Sequence, residues 1–136
     1  MTSFILNIDV PCVEAGANFY TAAFGLNIGR GFGSSVIELL GAETKIYLLE
    51  RRAGTSAGPG SNRVRRYERH WSPIHWDFVV QDMDEAVAKA LDAGAIQESE
   101  TRGAVYGKIA MFADPFGHGF CLIEFNAQGY DALNQG

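Results

Sequence analysis

At 136 residues the chain has room for one domain, or for two small halves fused into one, with a sizeable core. Hydrophobic residues make up 47% and charged residues 20%, which excludes a disordered chain, and no apolar run approaches the roughly 20 residues of a membrane span. The net charge of −5 argues against nucleic acid as the main partner, and two cysteines, Cys12 and Cys121, without a secretory leader fit a reducing cytoplasm.

Phe4–Val10 alternates, with Phe4, Leu6, Ile8 and Val10 on one face and Ile5, Asn7 and Asp9 on the other, as a half-buried strand does. Pro11 ends it, because proline cannot donate to a ladder. From Glu14 a helical spacing of Ala17, Tyr20 and Phe24, reaching back to Val13, predicts a helix, and Gly25 stands where a C′ glycine belongs. Gly31–Gly33 mark a turn, Ser35–Leu40 a strand, 41–44 a turn and Lys45–Glu50 another strand.

Residues 51–72 differ in character. Ala53–Asn62 is rich in Gly, Ser and Ala and reads as a flexible loop, and Arg51, Arg52, Arg63, Arg65, Arg66 and Arg69 gather in and around it. Two readings are open: a solvated connector, or a lid whose arginines or Trp71 touch an anionic or aromatic ligand.

Pro73–Val80 has the β-branched and aromatic content of a strand, with Trp76, Phe78 and Val80 on an apolar face and His75, Asp77 and Val79 on the other. Asp82 supplies a helix start, with Glu85 as its capping-box partner. Met83, Val87, Ala90, Leu91 and Gly94 mark the inner side of a helix over 83–93. Gln97–Thr101 reads as a short strand, Lys108–Ala113 as a better one, 114–117 as a turn and Gly119–Phe125 as an apolar strand before a polar tail over 126–136. The pattern is duplicated: Ile5 and His75, Asn7 and Asp77, and nearly so Gly25 and Gly94, hold equivalent places. The expected architecture is α+β, with two tandem βαβββ modules, 4–50 and 73–127, whose curved sheets face one another around a cleft in a single domain.

Ile8-Asp-Val-Pro11, Asn18-Phe-Tyr20, Phe24-Gly-Leu26, His75, Asp77-Phe-Val-Val80, Ala113-Asp-Pro-Phe-Gly117 and Leu122-Ile-Glu124, in this order, resemble the vicinal oxygen chelate superfamily. That group holds glyoxalases, extradiol dioxygenases, fosfomycin-resistance thiol transferases and bleomycin-binding proteins. The resemblance implies four ligand places for one divalent ion, at Ile5, Tyr47, His75 and Cys121. Isoleucine cannot ligate and neutral tyrosine is a poor ligand, so His75 alone matches outright, with Cys121 able but atypical. No metal and no cofactor are therefore expected.

Period two aims Asn7, Asp9, Tyr47, His75, Asp77 and Cys121 into the cup, beside apolar Ile5, Leu49, Val79, Ile123 and Phe125, the make-up of a small-molecule site. His75 reads either as a buried structural histidine or, with Asp77, as an acid/base pair. Cys121 reads either as a small buried hydrophobe or as a nucleophile activated by His75. His118 is expected to be exposed in its turn, and Trp76 to lie in the core. The function expected is metal-free binding of a small, largely apolar ligand, with Asn7, Asp9, Tyr47, Trp71, His75, Asp77 and Cys121 around it, by a cytoplasmic protein. The resemblance adds a homodimer, while the net charge and the lack of a long apolar run leave neither nucleic acid nor membrane as an expected partner. The alternatives are a divalent-metal-dependent lyase or dioxygenase of the glyoxalase type, and an interaction protein without a ligand.

Overall fold

The computed structural model describes residues 1–134, which form two compact units, Met1–Glu68 and a second beginning at Arg69. In the first unit, β1 (Leu6–Val10) leads into α1 (Val13–Phe24), followed by β2 (Asn27–Phe32), β3 (Val36–Leu40) and β4 (Ile46–Glu50). Its sheet runs β1-β4-β3-β2, with β1 parallel to β4 and the other pairs antiparallel. Ile8, Val10, Leu39, Ile46 and Leu48 are buried, as are Val13, Ala17, Phe19, Tyr20 and Ala23 of α1. The helix comes close to the sheet at Gly16, where a Cβ would stand 3.2 Å from Val10 and Leu48 side chains.

The second unit repeats the order: β5 (Trp76–Val79), α2 (Met83–Ala93), β6 (Ile96–Gln97), β7 (Arg102–Ala104), β8 (Gly107–Ala113) and β9 (Gly119–Phe125). The sheet runs β5-β9-β8-β6, with β7 also on β8, and β5 is parallel to β9 as β1 is to β4. Phe112, Phe120, Leu122, Met83 and Ala90 are buried. The α+β architecture and the parity expected for both leading strands hold: Ile8 and Val10 are buried while Asn7 is exposed, and Trp76, Phe78 and Val80 are half-buried while His75, Asp77 and Val79 are exposed.

Each helix start is tied to the end of its own unit's last β-strand. The Val13 N–H donates to Glu50 Oε1 at 3.0 Å, and the Met83 N–H to Glu124 Oε1 at 2.8 Å. Asp82 also accepts from the Glu85 N–H at 3.1 Å, while the Glu85 carboxylate faces Lys89 at 3.5 Å. Gly94 (φ 115°) ends α2, with the Ala95 N–H reaching Ala90 O and the Gly94 N–H Leu91 O, a Schellman closure that leaves the C′ residue left-handed.

Several expectations need correcting. Gly31 lies within β2, whose bulge between Ile28 and Gly31 hides the period-two signal, and the turn follows it. The leading strands start later than expected, at Leu6 and Trp76, leaving His75 just outside β5. β7 escaped notice because it is three residues long, and the short strand expected at 97–101 is Ile96–Gln97. Leu91 is 44% exposed: at about 100° per residue it sits roughly a quarter-turn past Ala90, off the buried stripe. The polar tail contains a 3-10 turn, Gly129–Leu133, and its last two residues lie outside those described. His118 is half-buried rather than exposed.

The arginine-rich loop is pinned. Ser56 bridges Val64, the Arg65 N–H donates to Thr55 O at 2.8 Å and the Ala57 N–H to Arg63 O at 2.9 Å. Its residues up to Glu68 belong to the first unit.

Candidate functional site

On the first sheet, Asn7 pairs with Tyr47 and Asp9 with Leu49 across β1 and β4, on the face turned away from α1. Two of these polar groups are already engaged. Asp9 Oδ2 accepts from Arg65 Nε at 2.8 Å, which ties the loop to the strand. The Tyr47 hydroxyl donates to Glu38 Oε2 at 2.8 Å. Glu38, opposite Tyr47 on β3, is only 3% exposed, and it also accepts from Arg30: the guanidinium Nε and NH2 at 3.1 and 2.7 Å, and the backbone N–H at 3.2 Å. Charge-assisted bonds from Arg30, then the Tyr47 hydroxyl, hold the Glu38 carboxyl down at about 2. The same carboxylate pushes the Tyr47 phenol up.

The second sheet gathers the remaining candidates. Asp77 on β5 lies in register with Cys121 on β9, and His75 precedes β5 on the same face. His75 Nε2 stands 3.5 Å from Asp77 Oδ1, and a ligating atom from each of His75, Asp77 and Cys121 lies within 4.8 Å of the others. Cys121 is buried, and burial, then the Asp77 charge and its hydrogen bond, push the thiol up to about 11. At neutral pH it is a thiol paired with Asp77, the opposite of what a nucleophile activated by His75 requires. His75 and Asp77 are 39% and 31% exposed, so the buried structural histidine is not what forms.

Aromatic side chains border this group. The Trp71 ring packs against His75 at a tilt of 41°, 5.0 Å between centroids, and against Gly119, two residues before Cys121 on the same face of β9. Arg69 stacks on Trp71, its guanidinium carbon 4.9 Å from the ring centroid, and forms a two-pronged pair with Glu98 at 2.5 Å. Tyr130, from the 3-10 turn, packs against Phe125 at 4.8 Å and Tyr106 at 5.2 Å. Burial, then the Asp77 carboxylate, raise its phenol.

The structure thus unites Trp71, His75, Asp77 and Cys121, and places Asn7, Asp9 and Tyr47 on the other sheet. The sequence reading named Arg69 only among the arginines of the 51–72 segment, and missed Glu38, Arg30, Glu98 and Tyr130. Glu38 left a trace, a lone charge inside Val36-Ile-Glu-Leu-Leu40, and so did Tyr130, an aromatic ring beside Gly129 in a polar tail.

The residues do not fit the four-ligand metal site that the resemblance implies. Ile5 is a 58% exposed hydrocarbon, and the Tyr47 hydroxyl is a protonated donor committed to Glu38. His75 and Cys121 remain, joined by Asp77, which is not one of the four places.

Comparison with known proteins bears on the fold and family. No curated protein matches the chain. Among solved structures, a fosfomycin resistance protein, FosX, from Listeria monocytogenes is 18% identical with a TM-score of 0.72, covering 99% of this chain and 98% of that one. Another structure, of a FosX mutant complexed with Mn(II) and 1S,2S-dihydroxypropylphosphonic acid, has a TM-score of 0.70 at 20% identity, covering 94% of each chain. A glyoxalase/bleomycin resistance protein/dioxygenase family enzyme from Burkholderia phytofirmans is 17% identical with a TM-score of 0.68, covering 90% of this chain and 97% of that one. At these identities the likeness establishes the fold. The family of the glyoxalase-like domain matches residues 5–123, nearly the whole alternating strand-and-helix pattern, and the chain belongs to that family, within the vicinal oxygen chelate superfamily.

Proposed function

We propose that the protein binds a small, largely apolar molecule without a metal ion, as a homodimer, and that His75, Asp77 and Cys121 with Trp71 form the binding group. The observation that carries this reading is the second sheet's arrangement: a half-exposed carboxylate and imidazole beside a protonated thiol, bordered by Trp71 and Tyr130. Few convergent polar groups among apolar and aromatic walls are what small-molecule sites are made of. Commitment of the Tyr47 hydroxyl to Glu38 further favours a metal-free protein. Native mass spectrometry of the purified chain tests the reading by reporting copurified ligand, bound metal and subunit count together. A ligand-bearing, metal-free dimer is expected; a bare monomer that takes up nothing from a metabolite extract would overturn it.

A second reading has one observation in its favour. His75, Asp77 and Cys121 offer three ligating atoms within 4.8 Å, enough for a divalent ion, which would supply the Lewis acid of a glyoxalase-type lyase or a dioxygenase. Against it stands the thiol, held protonated by burial and by Asp77.

A further inference from the structure

We propose that Trp71 is a specificity-determining wall, clasped in place by Arg69 and Glu98, and that it makes the site selective for planar, conjugated ligands over saturated ones of equal size. This rests on the ligand-binding reading above and deepens it by naming the ligand class.

Trp71 belongs to a segment with no regular structure, yet its ring is fixed from three sides. Arg69 covers one face, at 4.9 Å, and is itself locked by its two-pronged pair with Glu98. Glu98 does not move with the segment: its backbone N–H donates to Met111 O on β8 at 2.8 Å. Against the Cε3 and Cζ3 atoms of the indole is Gly119, where any side chain would collide with the ring, and an added Cβ would also stand 2.8 Å from the Arg69 guanidinium. At the ring's inner side is His75, which stands next to Asp77. Trp71 is ordered by these contacts yet still 39% exposed, so part of the indole remains open to a guest. Tyr130, seated on Phe125, adds a second ring on the face of β9 that carries Cys121. A fixed indole rewards a flat guest through offset stacking, and the clasp means that little ordering remains to be done on binding.

The test is calorimetric titration with 2-naphthol and decahydro-2-naphthol. The saturated compound carries at least as much apolar surface, so burial alone gives the planar one no advantage. Stacking predicts that 2-naphthol binds roughly two- to tenfold tighter. Trp71→Leu erases that preference. Gly119→Ala, which expels the ring while leaving Trp71 in the sequence, erases it as well. Glu98→Gln loosens the clasp and reduces the preference with an unchanged melting temperature, a result that a merely structural role for Glu98 would not give. Equal binding of the two compounds to the wild type, or a preference that survives Trp71→Leu, overturns the inference and leaves ligand binding standing. If neither compound binds, the inference also falls, and the wider reading falls only if native mass spectrometry finds the protein empty as well.

Discussion

Glu38 occupies a strand of apolar neighbours, and only its partners make that tolerable. Its carboxylate accepts four bonds, three from Arg30 and one from Tyr47, and Gly29 leaves room for it, since a Cβ there would stand 2.6 Å from Glu38 Oε1. Its folded pKa of about 2 lies below the ordinary 4.5. A depressed carboxylate contributes stability that is full above 4.5 and is lost as pH falls toward 2. Glu38→Gln should therefore lower the melting temperature at pH 7, and the gap between wild type and variant should close as pH drops from 4.5 toward 2. A gap that stays constant over that range would show that the carboxylate charge is not what Arg30 and Tyr47 recognise. Trp76 poses the opposite case, since its position was legible from period two. It sits on the face away from Asp77, and its Nε1 is buried without a hydrogen-bond partner among the described residues. The ring is half-buried rather than in the core as expected, so Trp76→Ala should cost about 3 kcal/mol in urea denaturation, the low end of the range for truncating a core aromatic. A negligible loss would mean that this face of β5 is not core.

At the scale of the element, what could be read from the chain depended on how far apart the partners are. The Asp82 cap was legible because its acceptor and the Glu85 N–H are three residues apart. The second cap on the same helix was not, because Glu124 reaches the Met83 N–H across 41 positions, and Glu50 reaches Val13 across 37. In each unit this long bond ties the helix start to the last β-strand, so the two caps are marks of one repeated design rather than local accidents. Loss of one such acceptor costs about 1 kcal/mol. Asp82→Ala and Glu124→Ala should each destabilise by about that much, and because they serve different N–H groups the double variant should lose about 2 kcal/mol. Urea denaturation of the three variants decides this; a Glu124→Ala loss near zero would mean that water replaces its carboxylate without cost. β2 was misread for a related reason. Gly31 looks like a turn marker, yet it lies inside the strand, and Gly29 two residues before it is required by the Glu38 side chain from the neighbouring strand, a constraint that arises only after the sheet has formed.

For the whole molecule, the duplicated pattern and the family were legible because both live in periodicity and ordered motifs. The site was legible only in part. Residues two apart in the chain, such as His75 and Asp77, could be paired on paper, whereas Arg69, Glu98 and Tyr130 reach the site from loops and a turn whose paths no periodicity encodes. The metal question belongs to this scale because a four-ligand site draws on both modules, and here the two places in the first are Ile5 and Tyr47. An ion would have to be held by His75, Asp77 and Cys121 within the second unit, and binding would have to remove a proton from a thiol whose pKa is about 11. That proton cost weakens any site there at neutral pH. Protein purified without chelator should carry no stoichiometric zinc, nickel, manganese or iron. A tight native-state site would add about 2.7 kcal/mol of stability at a hundredfold excess over Kd, so added metal should leave the melting temperature unmoved. The hemithioacetal of methylglyoxal and glutathione should not turn over. Elemental analysis showing one ion per chain, lost together with His75→Ala, would replace the metal-free reading with the lyase or dioxygenase.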